Sequence, residues 1–283
     1  MRSVTLTRTI RDAQGNQTTV SKTVQVGSYL RVGMDAPKGA AWTQTVADFP
    51  KITYTRDFGT DGADTDTLPE LSAVGTGKFT DLPPGAVMHV SWKDDVEQLS
   101  SWLSTVNQYV YITWYHEPMG DVLPADYRTT GARVTQIING HAKKNWVLGH
   151  GPIVTRYWLD EGNGNPADWG YAGMTHYGID CYQNSPTDTA YYSTMKMFTT
   201  VFNKVRAAFP GVRLWVPEYG IAKINSDSSG TGRAAAIRSH VRYLRTLTDV
   251  DAVAYYSNAA QFPQYAITAS SPEGQAWIDM QAL

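Results

Sequence analysis

The sequence predicts an α/β protein, a (β/α)8 TIM barrel with a short N-terminal β-hairpin. Eight short runs rich in Val, Ile, Tyr and Trp recur from residue 28 onwards, and each ends in a polar or Gly-rich loop. Segments with apolar residues at helical spacing lie between most of these runs. The region 28–283 also has the length of about 250 residues that such a barrel takes.

The first 27 residues carry a different pattern, in which apolar residues alternate with Thr, Ser, Arg and Gln on both sides of the turn-forming segment 12–16. This alternation predicts a β-hairpin. The stretch resembles the last two strands of a polycystic-kidney-disease-type (PKD) β module, through Val4-Thr5-Leu6-Thr7, Asp12-Ala13-Gln14-Gly15-Asn16 and Thr23-Val24-Gln25-Val26. The alternative is a local hairpin that caps the main domain. Either way, residues 1–27 and 28–283 are predicted to be separate units.

The eight runs are almost continuously apolar, as expected for parallel strands that are covered on both faces. They span 29–35, 52–58, 86–92, 110–116, 146–150, 177–182, 212–217 and 252–257. Helices are predicted at 94–106, 124–142, 188–209, 231–247 and 272–283. A doubly wound sheet uses the same alternation, but the segment after the first run contains no Gly-x-Gly-x-x-Gly motif.

Composition excludes several classes of function. Lys and Arg total 24 against 26 Asp and Glu, so the chain lacks the positive field that holds nucleic acid. No apolar run approaches the roughly 18 residues of a membrane span, and no signal peptide is visible. Cys181 is the single cysteine, which excludes an internal disulfide and a Cys-based zinc site.

Two glutamates stand where a parallel barrel carries its chemistry, at the carboxyl ends of its strands. Glu117 follows the fourth run and Glu218 follows the seventh. Strands four and seven face each other across an eight-stranded ring, so both side chains can reach one central cleft. Glycosidic bond cleavage needs such a pair, with one carboxyl protonated and the other ionised.

The motifs around these glutamates resemble clan A of the glycoside hydrolases, and most closely family 26, which is best known for β-mannanases. They are Trp114-Tyr115-His116-Glu117, Asp180-Cys181-Tyr182 and Glu218-Tyr219-Gly220, supported by Ser91-Trp92-Lys93 and the stretch 165–173. The resemblance implies a retaining endo-β-glycoside hydrolase that cleaves a mannan-like or other β-linked polysaccharide. It also implies an extracellular protein, or one at a cell or virion surface.

Residue roles follow from the same resemblance. Glu218 would be the nucleophile and Glu117 the acid/base, while Tyr182 would donate a hydrogen bond to Glu218. His116 would hydrogen-bond the sugar or the nucleophile. The aromatic and cationic candidates for sugar contact are Trp92, Lys93, Trp114, Trp158, Trp169, Tyr219 and Tyr256.

Three departures from the family pattern surround the expected sugar-binding floor and leave the sugar open. Lys93 replaces a His, Pro118-Met119-Gly120-Asp121 replaces a Gly- and Trp-rich continuation, and Tyr255-Tyr256-Ser257-Asn258 stands where a strand-end Trp is common. A non-catalytic glycan-binding barrel of a modular surface or phage-type protein is the alternative function.

No cofactor or metal is expected. His89, His116 and His150 fall on strand runs, but no His-x-His or His-Glu-x-x-His spacing supports a metal hydrolase. The acidic residues 61, 64 and 66 could bind calcium, although a solvated loop is the simpler interpretation. His141 and His240, on helical segments, are expected at the surface.

Overall fold

The computed structural model describes residues 2–11, 15, 17–26, 30–58 and 82–283. At the N-terminus, β1 (Arg2–Arg11) and β2 (Gln17–Val26) pair antiparallel, with Arg2 opposite Val26 and Arg11 opposite Gln17. The predicted hairpin is therefore confirmed. Its assignment to a PKD-like module stays a prediction, and the acidic residues 61, 64 and 66 lie outside the described residues.

Parallel strands form the eight positions of the barrel. The strands are β3 (Arg31–Asp35), β4 (Tyr54–Asp57), β5 (Val87–Trp92), β6 (Val110–Trp114), β7 (Val147–His150), β8 (Ile153–Thr155), β9 (His176–Gln183), β10 (Arg213–Ile221) and β11 (Val250–Tyr256). They pair in the orders β4-β5-β6-β7 and β8-β9-β10-β11-β3. The backbone N–H of Thr53 donates to the carbonyl of Val32 at 3.1 Å and joins the β3 and β4 edges. The predicted (β/α)8 fold is confirmed.

One barrel position is divided between two strands. β7 pairs with β6, and β8 pairs with β9. Gly151 and Pro152 separate them, and proline has no N–H to give to a ladder. The ladder is still bridged there, because the Gly151 N–H donates to Ile112 and the Gly178 N–H donates to Pro152. The sequence pattern predicted only the first half of this position.

Helices alternate with the strands. They are α1 (Ala40–Asp48), α2 (Gln98–Thr105), α3 (Pro124–Gly140), α4 (Arg156–Asp160), α5 (Thr200–Ala208), α6 (Thr231–Thr246) and α7 (Pro272–Gln281). A π-helical turn, Met195–Thr199, leads into α5. None of these helices, within the described part of the chain, is long and apolar enough to cross a membrane.

The helix predicted from residue 188 begins seven residues later because a buried amide holds the intervening loop. The Gln183 side chain donates to Asp188 at 2.8 Å and to the Ala190 carbonyl at 3.0 Å, and accepts from the Tyr192 N–H at 2.9 Å. These bonds occupy groups that a helix would otherwise use. The hydrogen bonds of Gln183, at the end of β9, therefore prevent a helix that the apolar spacing of the sequence predicts.

Aromatic and imidazole side chains, rather than aliphatic ones, fill much of the barrel interior. The Tyr54 hydroxyl lies 2.6 Å from His89 Nδ1, and the Thr113 hydroxyl lies 2.8 Å from His89 Nε2. Trp215 packs edge-on against His89 and stacks on His176. Burial lowers the pKa of His89 well below its usual range, so this imidazole is neutral.

A single carboxylate joins three adjacent strands at the opposite end of the barrel from the strand carboxyl termini. Asp251 of β11 accepts hydrogen bonds from Arg213 of β10 and lies 2.7 Å from Nε2 of His176 of β9. These bonds lower the pKa of Asp251 despite its burial. The end of the barrel away from the glutamates is therefore fixed by an ion-pair network.

Candidate active site

Three carboxyl groups meet at the carboxyl ends of β6, β9 and β10. Glu117 lies three residues beyond β6, Asp180 lies within β9, and Glu218 lies within β10. Glu117 and Asp180 are each close enough to Glu218 for their charges to affect proton binding in the cluster. The two glutamates found from the sequence are therefore brought together with a third acid.

Glu218 is held by one cation and one phenol. Arg56 Nη1 donates to Glu218 Oε1 at 2.5 Å, and the Tyr182 hydroxyl donates to Glu218 Oε2 at 2.6 Å. Each carboxylate oxygen thus has its own donor, which fixes the plane of the group. The Glu218 side chain keeps 12% of its surface exposed, so an incoming ligand can reach it.

Opposing influences set the protonation of Glu218. Burial raises the pKa of Glu218 to about 7; Arg56 and the Tyr182 hydrogen bond oppose the rise, while Glu117 and Asp35 add to it. The carboxyl is consequently ionised above neutrality and protonated in acid. An ionised, oriented and partly desolvated carboxylate is suited to nucleophilic attack.

The backbone before and at Glu117 is in a strained conformation. Tyr115 has φ 52° and Glu117 has φ 50°, the left-handed region that residues with a Cβ rarely adopt. The Glu117 N–H donates to the Ile153 carbonyl on β8 at 2.9 Å, and the Tyr115 N–H donates to Trp92 on β5 at 2.7 Å. These bonds hold a turn that costs about 1–3 kcal/mol for each such residue. The turn places the Glu117 carboxyl close to Asp180 and Glu218.

Arg56 and Asp180 complete the cluster, and sequence reasoning assigned no role to either. The Arg56 side chain is completely buried on β4, where it also donates to Ser91 at 3.1 Å and packs over Phe58. Its Nη1 lies 3.6 Å from Asp180 Oδ2. The available signal was an arginine inside an apolar strand run, because a fully buried cation requires anionic partners.

His116, Lys93 and Tyr256 border the cluster. His116 packs edge-on against Phe58, and its Nδ1 has no hydrogen-bond partner among the described residues. Burial lowers the pKa of His116 well below its usual range, with Arg56 and Lys93 contributing, so it is neutral. Tyr256 packs edge-on against Tyr182. The expected bond from His116 to the nucleophile is not formed, because Arg56 and Tyr182 occupy Glu218.

Several aromatic candidates for sugar contact lie away from the cleft. Trp92 is completely buried between the strands and the helix layer, and Trp169 is buried against Tyr127. Tyr219 is also buried, and its hydroxyl lies 2.7 Å from Nδ1 of His240, a buried residue of α6. These three therefore serve packing in this structure, and His240 is buried rather than at the surface. Strand alternation explains Tyr219, since a residue next to inward-facing Glu218 faces outward.

Trp114 and Trp158 are half-buried and keep part of their surface accessible. The indole N–H of Trp114 donates to the Asp94 carbonyl at 2.9 Å, and Trp158 packs edge-on against Trp169. Lys93 lies over the Tyr115 ring and 3.7 Å from Asp121. Trp114 and Lys93 stand at strand ends, and Trp158 lies in α4 just after β8, all on the same side of the barrel as the carboxyl cluster. No group of three or more metal-ligating side chains occurs among the described residues.

No protein-family model and no curated protein matches the sequence. Several solved structures are similar to this chain in fold. A variant of a family 128 endo-β-1,3-glucanase from Amycolatopsis mediterranei, in complex with laminaripentaose, is 12% identical over 88% of this chain and 98% of its own, with a TM-score of 0.56. A family 5 xyloglucanase from Bacteroides ovatus, in complex with a XXXG heptasaccharide, is 9% identical over 100% of this chain and 87% of its own, with a TM-score of 0.51.

A third similar structure is named for binding. The family 128 oligosaccharide-binding protein from Trichoderma gamsii is 14% identical over 92% of this chain and 97% of its own, with a TM-score of 0.52. At these identities the likeness shows the fold alone: this chain has the barrel fold found in glycoside hydrolases of families 128 and 5. The expected membership of family 26 stays a prediction.

Proposed function

We propose that the protein is a retaining endo-β-glycoside hydrolase that cleaves a β-linked polysaccharide by double displacement. Glu218 is the nucleophile and Glu117 is the acid/base. The observation that carries the proposal is the pair of donors on Glu218, one for each carboxylate oxygen, beside a second and a third carboxyl. A glycan-holding barrel has no need for such a cluster at its floor.

In the first step, a Glu218 oxygen attacks the anomeric carbon while the Glu117 side chain protonates the leaving oxygen. Tyr182 and Arg56 hold Glu218 in position and favour its ionised form before attack. In the second step, Glu117 removes a proton from water, which attacks the glycosyl–enzyme and releases Glu218. The anomeric configuration of the substrate is retained.

The substrate class rests on two kinds of support. The His116-Glu117 pair resembles family 26, which favours a mannan-like chain, whereas the similar solved structures are named for β-1,3-glucan and xyloglucan activities or complexes. We therefore propose that the substrate is a β-linked polysaccharide rather than a small glycoside. Such a polymer lies outside cells, so we place the protein in the extracellular space or at a cell or virion surface.

Glycan binding without turnover is the second candidate, because one of the similar structures is an oligosaccharide-binding protein. A screen on mannans, xylans, mixed-linkage glucans, β-1,3-glucans, xyloglucan and bacterial surface polysaccharides, read by new reducing ends, separates the two. Hydrolysis that Glu117→Gln and Glu218→Gln both abolish supports the enzyme. Tight binding of one of these polymers, with no reducing ends released by the wild type, would establish the binding barrel instead.

General acid catalysis by Glu117 has its own signature. Glu117→Ala should lose about 10²–10⁴-fold in rate on substrates with poor leaving groups. Glycosylation by an aryl glycoside with a good leaving group should lose far less, because that oxygen departs without a proton. Equal losses on both substrates would contradict the acid role.

A further inference from the structure

Asp180 is a buried acid that the retaining mechanism does not use. Its side chain has 0% of its surface exposed, and neither carboxylate oxygen has a hydrogen-bond donor within the described ranges of the chain. The guanidinium of Arg56 is its cationic neighbour, but 3.6 Å is too long for a hydrogen bond. A fully ionised carboxylate in this position would lack the partners that buried charges require.

A second carboxyl, that of Glu117, lies beside it. The Glu117 side chain is within hydrogen-bonding reach of Asp180. Two carboxyl groups can hydrogen-bond to each other only when one of them carries a proton, because ionised carboxylates are acceptors alone. A fully buried carboxyl that has no donor of its own among the described residues and lies beside a second carboxyl therefore points to a proton between Asp180 and Glu117 in the resting protein.

The surroundings favour that proton. Burial and the charge of Glu218 raise the pKa of Asp180 well above its usual range, and Arg56 opposes them. The titratable groups around Asp180 come from four elements: Tyr54 and Arg56 from β4, Glu117 after β6, Cys181 and Tyr182 from β9, and Glu218 from β10. Arg56 is the one cation in this set.

Resting on the proposed function, we propose that Asp180 and Glu117 share one proton and act as a single proton donor. Glu117 is the member that touches the leaving oxygen. Asp180 is a positioning residue that acts through Glu117, orienting it and storing the proton. This assigns a task to the buried acid of β9 and explains why Arg56 lies between Asp180 and the nucleophile.

The charges balance through the reaction. Before attack, Glu218 carries one negative charge and the Asp180–Glu117 pair carries another. As the bond from Glu218 to the anomeric carbon forms, the glycosidic bond breaks and the pair gives its proton to the leaving oxygen. Glu218 becomes a neutral ester, and the pair becomes doubly negative.

Arg56 is placed to accommodate this shift, because the same Nη1 faces Glu218 at 2.5 Å and Asp180 at 3.6 Å. Its anionic partner changes while the total charge of the cluster stays constant. In the second step, water gives a proton to the pair and its oxygen to the anomeric carbon, and Glu218 leaves as a carboxylate. The resting state is restored.

The first test needs no substrate. Asp and Glu side-chain carboxyl carbons of the whole protein are labelled with ¹³C and titrated, and the Asp180 signal is assigned by its loss in Asp180→Asn. We expect this signal to be that of a protonated carboxyl at neutral pH. In Glu117→Gln, its midpoint should fall by about one pH unit or more, because the partner carboxylate is gone. Asp35→Asn, which removes another buried acid acting on Glu218, is the control and should move it less.

An Asp180 signal that is ionised at neutral pH in the wild type, or a midpoint unchanged by Glu117→Gln, would overturn the shared proton. This readout is independent of turnover, so a protein that cleaves no glycan refutes the proposed function without affecting the NMR result. If Asp180→Asn does not fold, the signal is assigned from its shift in Glu218→Gln, because the charge of Glu218 also acts on Asp180; Glu117→Gln then remains the independent test.

The second test uses the pH profile. A paired carboxyl holds its last proton more tightly than a single one. We therefore expect Asp180→Asn to move the basic limb of kcat/KM to lower pH by about one unit, and to slow substrates with poor leaving groups on the order of 10²-fold. Asp35→Asn should leave the basic limb in place. Lower activity in Asp180→Asn with an unmoved basic limb would reduce Asp180 to a structural residue.

Discussion

At the scale of single residues, Glu218 shows how a largely buried carboxyl can still be ionised near neutral pH. Its pKa is raised to about 7, because burial raises it by more than Arg56 and Tyr182 lower it. An unsupported buried carboxyl would stay protonated across the neutral range and could not attack a sugar. Arg56 and Tyr182 thus lower the pH at which Glu218, the proposed nucleophile, becomes ionised.

Tyr182→Phe tests this balance. Losing a 2.6 Å hydrogen bond to the ionised form should raise the pKa of Glu218 further, so the acid limb of kcat/KM should move to higher pH by about one unit. Tyr256→Phe is the control, because that hydroxyl donates to Gln261 instead, and its acid limb should stay within a few tenths. If Tyr182→Phe leaves the acid limb in place, the Tyr182 hydrogen bond does not influence the ionisation of Glu218.

The turn at Glu117 makes a second prediction, about stability. At φ 50°, glycine is unstrained and alanine is not, although both remove the carboxyl. Glu117→Gly should therefore exceed Glu117→Ala in free energy of unfolding by about 1 kcal/mol, measured by urea denaturation. The usual entropic penalty of glycine predicts the opposite order, so an alanine variant of equal or greater stability would show that the turn stores no strain.

At the scale of elements, the seam between β3 and β4 depends on close backbone approach. A Cβ at Gly33 would lie 1.6 Å from the Tyr54 carbonyl oxygen, whereas one at Gly140, the last residue of α3, would meet nothing within 4 Å. Gly33→Ala should lower the free energy of unfolding by at least about 1–3 kcal/mol, since backbone must move. Gly140→Ala should be neutral or stabilise by up to about 1 kcal/mol. Equal effects would mean that the seam is not tight.

Periodicity located most of these elements because apolar strands and amphipathic helices bury side chains at fixed spacing. It could not find the break between β7 and β8, since Gly151 and Pro152 follow an apparently complete run. Periodicity also could not predict where the side chains of Trp92 and Tyr219 lie. In a strand that is apolar on both faces, the pattern does not show which residues point towards the helices and which towards the barrel interior. Glu117 and Glu218 were accessible from sequence through strand-end position; Arg56 required knowledge of what it faces across the ring.

At the scale of the whole molecule, the two ends of the barrel respond to pH in opposite ways. Glu218 and Asp180 have pKa values raised by folding, so they favour the folded state in acid, and that contribution is lost as pH rises from their ordinary values towards the folded ones. Asp251 has a lowered pKa, so its contribution is present above its ordinary value and is lost as pH falls. Stability should therefore be greatest in mild acid.

Urea denaturation at a series of pH values measures this. For Glu218, the rise from an ordinary value of 4.5 to about 7 predicts a loss of at most about 3 kcal/mol between mild acid and pH above 7. Glu218→Gln should flatten that decline and leave the acid side unchanged, because Asp251 remains. If the free energy of unfolding declines as steeply with rising pH in Glu218→Gln as in the wild type, groups other than Glu218 cause the pH dependence.

Azide rescue tests most directly whether Glu218 forms a covalent bond to the sugar, as proposed. Glu218→Ala should lose turnover, and added azide should restore part of it by attacking from the vacated side. The product is then a glycosyl azide with the anomeric configuration opposite to that of the substrate. Wild-type turnover in Glu218→Ala, or an azide product formed by Glu117→Ala with inverted configuration, would contradict the account.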